Sequence, residues 1–399
     1  MTTTLGRRPF LIGGAVVAGC ASDDDATPST PSILDESCTP GTVGANADFA
    51  SQRDAAAPRV MTAMRVADHF MSLSPAEEML WDWGDSVFMF SLVDLYRLTG
   101  EARFRDYYRA WIEHWLPRGY ESIISNSDRC PPALSALALY EETCRLDYRG
   151  IVDRVLFYLD EEALRTEQGG LNHLGTSPLF APSLWLDSLF MFGNVWTRWS
   201  EVTGELRYLD DFSDQYRIFT DLLQEDSGWM VHAYQWELAE QTPGIYWARG
   251  NAWVTAAGYD YLRVRRDTGG DDAVVAASLR AQVDAIVADQ DPASGFWWTV
   301  VNRPGETYLE TSASALFAAG LARGYRLGEL DDSVLPVIES AVAGVLTRVD
   351  NRGSVDGISG PTMVGSFDDY AAIPVERDIH YGVGAVIIAL VETSGLPTP

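Results

Sequence analysis

Two aspartates stand at the starts of apolar segments, where a carboxyl group can serve as an acid. Asp187 lies between Trp185 and Phe190 in the segment WLDSLFM, and Asp128 lies in SNSDRCPPAL. A carboxyl group beside apolar aromatic rings can keep its proton at neutral pH, because burial disfavours the charged form. A pair of such groups is what glycosidic chemistry requires. The alternative for each is a helix N-cap, a common use of Asp before an apolar run.

A second cluster combines a cation, an amide and aromatic rings in the segment YWARGNAW, with Trp247, Arg249, Asn251 and Trp253. A guanidinium group can bind a carboxylate through two parallel hydrogen bonds, and indole faces can stack on a sugar ring. Arg249 has no acidic partner in this stretch, which favours a ligand for it. The alternative is a helix-initiating loop whose tryptophans belong to the core.

The elements that must position these residues are helices. Apolar residues recur at helical spacing from about Phe49 onward, in about twelve segments, and no alternating series predicts a sheet. Glycine-centred turns recur at Gly170, Gly228, Gly295 and Gly353, with intervals of 58, 67 and 58 residues. A period of this length fits one helical hairpin with its loops.

This period predicts an all-α fold, an (α/α)6 barrel of six helical hairpins closed in a ring. An open solenoid is the alternative, but it needs polar terminal repeats, and the last predicted helix, 384–390, is apolar. Asp128 and Asp187 are 59 residues apart, as are His173 and His232. We therefore expect each pair to occupy equivalent positions on adjacent repeats, facing one cup.

Composition excludes several classes of partner. The 399 residues carry a formal net charge of −28, which argues against nucleic acid and against anionic lipid headgroups as ligands. The five histidines show no HExxH spacing and no CxxC pair occurs, so we expect no metal site and no cofactor. Cys130 and Cys144 flank a predicted helix that would hold them roughly 20 Å apart, too far for a disulfide.

The N-terminus resembles an export signal. Arg7 and Arg8 form a twin-arginine pair, and a short apolar stretch ends in small residues directly before Cys20. This pattern resembles a bacterial lipobox, so residues 1–20 predict a signal peptide, lipidation of Cys20 and a protein anchored to a membrane after export. An ordinary twin-arginine signal with an incidental cysteine is the alternative. Residues 21–48, acidic and rich in Ser, Thr and Pro, predict a linker, and residues 49–399 the barrel domain.

Several motifs in order resemble the unsaturated glucuronyl and rhamnogalacturonyl hydrolases, glycoside hydrolase families 88 and 105. They are WLDSLFM (185–191), WARGNAW (247–253) and YLETSASA (308–315), together with the turn 228–232 and the glycine-rich segment 382–385. The resemblance covers roughly residues 55–395. It implies a substrate oligosaccharide with a 4,5-unsaturated uronic acid at its non-reducing end, the product of a polysaccharide lyase.

The resemblance also implies roles for individual residues. Asp187 would protonate the double bond at C4, water would add at C5, and Asp128 would be the second acid. The uronate and its ring would be bound by residues of the two clusters: His232, Trp247, Arg249, Asn251, Trp253, Trp185 and His173. Two alternatives keep the barrel but change the function: an inverting hydrolase of a saturated glycan that uses the same two aspartates, and a surface lipoprotein that only binds glycans.

Overall fold

The structure is a computed structural model that describes residues 33–177, 179–235 and 244–398. The predicted signal peptide and Cys20 lie outside the described residues. In the described residues the α-helices are α1 (Ala47–Ala50), α2 (Pro58–Leu73), α3 (Trp83–Thr99), α4 (Ala102–Trp115), α5 (Pro132–Thr143), α6 (Leu146–Phe157), α7 (Ser188–Met191), α8 (Gly193–Thr203), α9 (Arg207–Leu223), α10 (Ala248–Asp267), α11 (Ala273–Ala288), α12 (Thr311–Arg326), α13 (Leu335–Thr347), α14 (Phe367–Ala371) and α15 (His380–Glu392).

The longer helices form two concentric rings. The inner ring runs α3, α5, α8, α10, α12 and α15, and it closes because α15 packs against α3. The outer helices α4, α6, α9, α11 and α13 each follow an inner helix and pack against it. Helix α2, the first long helix, packs on α15, the last one, and completes the sixth hairpin. The predicted closed barrel is confirmed, and the open solenoid is wrong.

Burial follows from the position of each helix in the rings. Inner helix α15 has all of its residues buried except His380, as expected for a helix that is apolar on every side. Its Gly384 permits close packing, since a Cβ there would lie 2.8 Å from the carbonyl oxygen of Val87 on α3. Outer helix α9 buries a single face that includes Phe212, Tyr216 and Phe219. The inner helices are thus buried on all sides and the outer helices on one side, which gives a barrel wall two helices thick.

Repeated turns connect each outer helix to the next inner helix. Gly228, Gly295 and Gly353 all have positive φ, and a Cβ at Gly228 would lie 2.1 Å from the carbonyl oxygen of Ala281. Glycine is required here by both the backbone conformation and the close approach of α11. In the first turn the equivalent residue is Gly169, with φ of 88°, rather than the predicted Gly170. The turns lie at the end of the barrel where inner helices begin, and they form the floor of a cup.

Two small antiparallel pairs of strands complete the cup. Strand β1 (Leu184–Trp185) pairs with β2 (Ala233–Tyr234), and β3 (Ile358–Ser359) pairs with β4 (Val375–Glu376). The first pair joins the segments before α8 and α10, and the second joins the segments before α14 and α15. Each pair therefore fixes loop residues of the cup against one another.

The part of the chain that packs on the barrel begins before residue 49, the predicted start of the domain. Cys38 forms a disulfide with Cys144, and the Asp35 carboxylate accepts hydrogen bonds from Tyr140 and Arg149. The compact unit begins at Ile33, so the predicted linker, residues 21–48, extends too far into the domain. Sequence reasoning excluded a Cys130–Cys144 bridge, and Cys130 is indeed a free, buried thiol. It missed Cys38 as the partner of Cys144.

No helix in the described part of the chain is both long enough and apolar enough to cross a bilayer.

Candidate active site

The two predicted acids lie at the starts of adjacent inner helices. Asp187 immediately precedes α7, which leads into α8, and Asp128 lies in the short 3-10 helix Ser127–Arg129 that leads into α5. Neither side chain makes a capping hydrogen bond to its helix. The N-cap alternative therefore does not account for either aspartate, in contrast to Glu310, which accepts from the backbone N–H groups of Ser312 and Ala313 at the start of α12.

The histidine next to Asp128 is held on three sides. His173 Nε2 lies 3.8 Å from Asp128 Oδ2, and its Nδ1 lies 3.0 Å from the hydroxyl oxygen of Ser188. Its ring stacks on Trp185 with 4.5 Å between centroids and 6° between planes. Burial lowers the pKa of His173 to about 4. The imidazole is therefore neutral over most of the pH range, and it can orient Asp128 without adding a positive charge.

The pairing of β1 with β2 brings the second histidine to Asp187. Leu186 N–H donates to the carbonyl of His232 at 3.0 Å, which sets the two segments in register. His232 Nε2 then lies 3.4 Å from Asp187 Oδ2, and the ring packs against Trp247 with 4.3 Å between centroids. Both of these atoms are buried, and neither has a well-formed hydrogen bond among the described residues. Unsatisfied buried polar atoms mark the place that a ligand would complete.

The two carboxyl groups have opposite pKa shifts. Burial, followed by the nearby charges of Asp82 and Asp187, raises the pKa of Asp128 well above its ordinary value. At Asp187 burial acts in the same direction, but the contacts with His232 and His173 outweigh it and hold the pKa below its ordinary value. The expectation that aromatic neighbours keep Asp187 protonated is wrong for the free protein, because the histidines are also neighbours. The shift at Asp128 therefore favours its protonated form.

Arg249 is held by several groups beside the cup, with its guanidinium over the ring of Trp247. The side chain is fully buried, and its guanidinium donates to the carbonyl oxygens of Ser359 and Gly360 at 3.2 and 2.9 Å and to the hydroxyl of Thr362 at 2.9 Å. The carboxylate of Glu310 lies 3.9 Å away. The acidic partner that the stretch 246–253 lacks is thus supplied by Glu310 from another segment. Arg249 fixes the segment after β3 to the wall of the cup, and substrate binding by Arg249 stays a prediction.

Asn251 and Trp253 also support the site from behind. The Asn251 amide accepts from the backbone N–H of Met230 and donates to its carbonyl, both at 2.9 Å, which holds the turn that carries His232. Trp253 is fully buried and packs on Phe190 with 4.4 Å between ring centroids. The predicted residues that the structure brings together at the cup are thus Asp128, Asp187, His173, His232, Trp185 and Trp247.

Sequence reasoning missed the contribution of the first inner helix. Asp82 accepts from the backbone N–H of Trp83 at the start of α3 and lies 3.3 Å from Arg129. Burial raises the pKa of the neighbouring Asp85 to about 7, and Trp83 stacks on Tyr381. The signal was present, since WDWGD precedes an apolar helix just as the segments at Asp128 and Asp187 do.

One further residue, Tyr370, reaches the site from α14, with its hydroxyl 2.8 Å from His232 Nδ1. No pattern around residue 370 distinguishes it in the sequence. Among residues 33–177, 179–235 and 244–398, no group of three or more His, Cys, Asp or Glu side chains is arranged to hold a metal ion.

A barrel of helical hairpins with a carboxyl pair in an aromatic cup fits a glycoside hydrolase, and comparison with known proteins shows this class. The model of Glycosyl Hydrolase Family 88 matches residues 56–396, so the chain belongs to this family. The unsaturated rhamnogalacturonyl hydrolase YesR of Bacillus subtilis (strain 168) is 25% identical over 331 residues, which are 82% of this chain and 93% of that protein.

Solved structures share the fold. A possible member of the GH105 family from Salmonella enterica superposes with a TM-score of 0.76 at 24% identity, covering 84% of this chain and 93% of that chain. The unsaturated glucuronyl hydrolase from Bacillus sp. GL1 superposes with a TM-score of 0.65 at 16% identity, covering 83% and 95%. The similarity extends over nearly the whole barrel in both cases.

Proposed function

We propose that this glycoside hydrolase removes a 4,5-unsaturated uronic acid from the non-reducing end of oligosaccharides made by polysaccharide lyases. The observation that carries the proposal is the pair Asp128 and Asp187, buried beside His173 and His232 with pKa values shifted in opposite directions. Such a pair keeps one acid and one base at the same pH. The family and the relative named for unsaturated rhamnogalacturonyl substrates support the same reaction.

In the proposed reaction Asp187 acts first as acid and then as base. Its proton bonds to C4, and the electrons of the double bond leave C5, which shares the positive charge with the ring oxygen. The oxygen of a water molecule then bonds to C5 and its proton returns to the Asp187 carboxylate. The hemiketal at C5 then opens: the bond from C5 to the ring oxygen breaks, C5 becomes a ketone, and its hydroxyl proton ends on the former ring oxygen. C1 is now a hemiacetal, which collapses to an aldehyde, and the rest of the oligosaccharide leaves as an alcohol that takes the hemiacetal proton. No covalent bond forms between sugar and enzyme.

In the free protein the pKa shifts favour the protonated form of Asp128 and the ionised form of Asp187, so we propose that substrate binding moves a proton to Asp187. A uronate carries its own negative charge, and a like charge next to Asp187 raises the pKa of that carboxyl group. Asp128 and Asp187 interact through charge, so they behave as one coupled acid. The active form is the pair with a single proton, and binding of the anionic sugar shifts that proton toward the reacting carbon.

Lyase digests of several polysaccharides test the proposed substrate class. The conjugated double bond absorbs in the ultraviolet, and hydration at C4 and C5 removes that absorbance. We expect the full-length protein to bleach at least one digest and the Asp187→Asn variant to bleach none. Turnover of an intact saturated polymer without bleaching of any digest would instead favour the inverting hydrolase. Binding of digests without turnover would favour the glycan-binding alternative.

We further propose that the protein is exported through the twin-arginine pathway and anchored by lipid on Cys20. The Cys38–Cys144 disulfide supports an extracytoplasmic location, because structural disulfides persist in oxidising compartments. The Cys20→Ser variant should lose the anchor and appear in the soluble fraction of the expressing cell. Unchanged membrane retention of that variant would contradict the anchor and leave the proposed reaction untouched.

A further inference from the structure

We propose that Tyr370 is a positioning residue of the reaction, whose hydroxyl holds His232 in the tautomer that directs Nε2–H at Asp187. The inference rests on the proposed function, since it gives His232 a task in the hydration step. It adds a residue outside the inner helices and outside the three motifs that carry the family resemblance.

The contact is short and enclosed. The hydroxyl oxygen of Tyr370 lies 2.8 Å from His232 Nδ1, and the side chains of both residues are almost completely buried. On the other side of the imidazole, Nε2 faces Asp187 Oδ2 at 3.4 Å. The three groups therefore form a line from the tyrosine hydroxyl through the imidazole to the carboxylate.

The proton positions along this line follow from what each group can donate. An ionised carboxylate only accepts, so the nitrogen that faces Asp187 must carry the hydrogen. In the tautomer with the hydrogen on Nε2, Nδ1 presents a lone pair, and the Tyr370 hydroxyl is its donor.

The fold places Tyr370 through a segment that belongs to no hairpin of the barrel. The segment leaves β3, forms α14 and returns along β4, and it begins with a capping box between Ser366 and Asp369. Tyr370 packs into a small apolar cluster with Ile245, Trp247 and Val300. The ring of Tyr370 is thus held by packing that does not need the hydroxyl, so removal of the hydroxyl alone leaves a foldable protein.

Loss of the hydroxyl would free the second tautomer of His232. In that tautomer Nδ1 carries the hydrogen and the Nε2 lone pair faces the Asp187 carboxylate, which repels it. Removal of an outer hydrogen-bond partner typically costs metal-binding histidines roughly 10–100-fold in affinity or activity, and we expect a loss of similar size here. The loss should fall on kcat, because the hydroxyl is not aimed at the substrate.

The test compares Tyr370→Phe with Tyr108→Phe in the full-length protein. Tyr108 is fully buried on α4 and its hydroxyl has no hydrogen-bond partner in the described residues, so it controls for loss of a buried hydroxyl. On a bleachable lyase digest we expect Tyr370→Phe to lower kcat with little change in KM and Tyr108→Phe to match the wild type. Equal kcat in all three proteins would overturn the inference.

A second measurement needs no substrate. In protein labelled with ¹⁵N-histidine, two-bond proton–nitrogen spectra distinguish the two neutral tautomers, and the His232→Gln variant identifies the signals of His232. We expect the Nε2–H form in the wild type and a mixture in Tyr370→Phe. An Nδ1–H form in the wild type would overturn the inference even if Tyr370→Phe folds poorly. Absence of all bleaching activity would instead count against the proposed function.

Discussion

Both ends of the barrel bury charged side chains, but the neighbours of the buried carboxyl groups differ between the two ends. At the cup, Asp128 lies 3.8 Å from His173 and Asp187 lies 3.4 Å from His232, and among the described residues neither carboxyl group forms an ion pair with an arginine. At the far end, where the inner helices finish, Glu392 lies 2.5 Å from Arg53 and 2.8 Å from Arg323. The cup leaves its carboxyl groups incompletely satisfied, whereas the far end surrounds them with cations.

Helix polarity explains part of this division. The C-terminal ends of helices carry a partial negative charge and unpaired carbonyl groups, which favour cations there. Arg266 accordingly donates to the carbonyl of Leu327, the C-cap residue of α12, and Arg326 donates to the carbonyl of Ser394, which follows α15. All 29 basic residues of the chain are arginines, whose planar groups can make several such contacts at once.

A cavity of about 1070 Å³ opens among these far-end charges, and it is larger than most small-molecule sites. Buried charges along it face opposite charges, for example Arg198 and Asp260 at 2.8 Å. Size alone would make it the candidate active site. The cup is the better candidate, because it holds the carboxyl groups of Asp128 and Asp187 beside histidines and, among the described residues, without an arginine partner.

The largest effect should come from the cup and should leave stability intact. Asp187→Asn keeps the shape of the side chain but removes the proton that bonds to C4, so we expect kcat/KM to fall by roughly 10²–10⁴-fold, as for loss of a general acid. Bleaching kinetics on a lyase digest provide the measurement. Asp284→Asn, at an exposed position of outer helix α11, is the matched control and should behave as wild type. A loss below about threefold for Asp187→Asn would show that the carboxyl group is not the acid.

The next effect should come from the far end and should fall on stability. Glu392→Gln leaves Arg53, Arg323 and Arg326 buried without their shared carboxylate, and removal of one partner of a buried pair costs about 3–5 kcal/mol. Urea-induced unfolding at neutral pH measures the loss, and turnover per folded molecule should not change. These arginines hold the pKa of Glu392 below its ordinary value despite burial. The stabilisation is therefore present above the unfolded-state pKa and is lost as the pH falls through the folded-state pKa.

Comparable stability of Glu392→Gln and wild type would show that the far-end network contributes little, and the contrast between the two ends would then fail.

The smallest effect should be a gain in stability at the cup. Because the pKa of Asp128 is raised in the folded protein, the folded state binds more protons than the unfolded state between the two pKa values. Stability contributed by this group is therefore lost as the pH rises through that interval. Asp128→Asn removes the dependence, and we expect it to raise the free energy of unfolding at neutral pH by roughly 1 kcal/mol. The same variant should lose activity, so a stabilised but inactive protein is the expected outcome.

Thermal unfolding of Asp128→Asn at acidic and neutral pH would check the sign. A gain that is larger at acidic pH than at neutral pH would contradict the raised pKa.

The sequence predicted what depends on local pattern and missed what depends on distant segments. The helical period and the acids before apolar helices identify the barrel and the pair Asp128 and Asp187. The role of Arg249 could not be read locally, because Glu310 and the carbonyl groups it binds lie in segments that only the fold brings together. The Cys38–Cys144 disulfide joins residues 106 positions apart. Tyr370 has no distinguishing pattern and is recognised only by its contact with His232.

The direction of the pKa shift at Asp187 likewise could not be predicted from neighbours in the sequence. Aromatic neighbours in the sequence predict a raised pKa, but His232 arrives through the pairing of β1 with β2, and it reverses the sign. A neighbour in sequence sets the burial of a carboxyl group, whereas a neighbour in space sets its charge environment.

The central claim is that the cup hydrates a double bond, and isotope incorporation tests it most directly. The reaction is run in D₂O on a lyase-generated oligosaccharide, and the released sugar is examined by NMR at early times, before the product exchanges hydrogen with solvent. We predict a single deuterium at C4, delivered to one face of the ring, and none in a reaction with Asp187→Asn. Release of the sugar with its double bond intact and no deuterium at C4 would contradict the account.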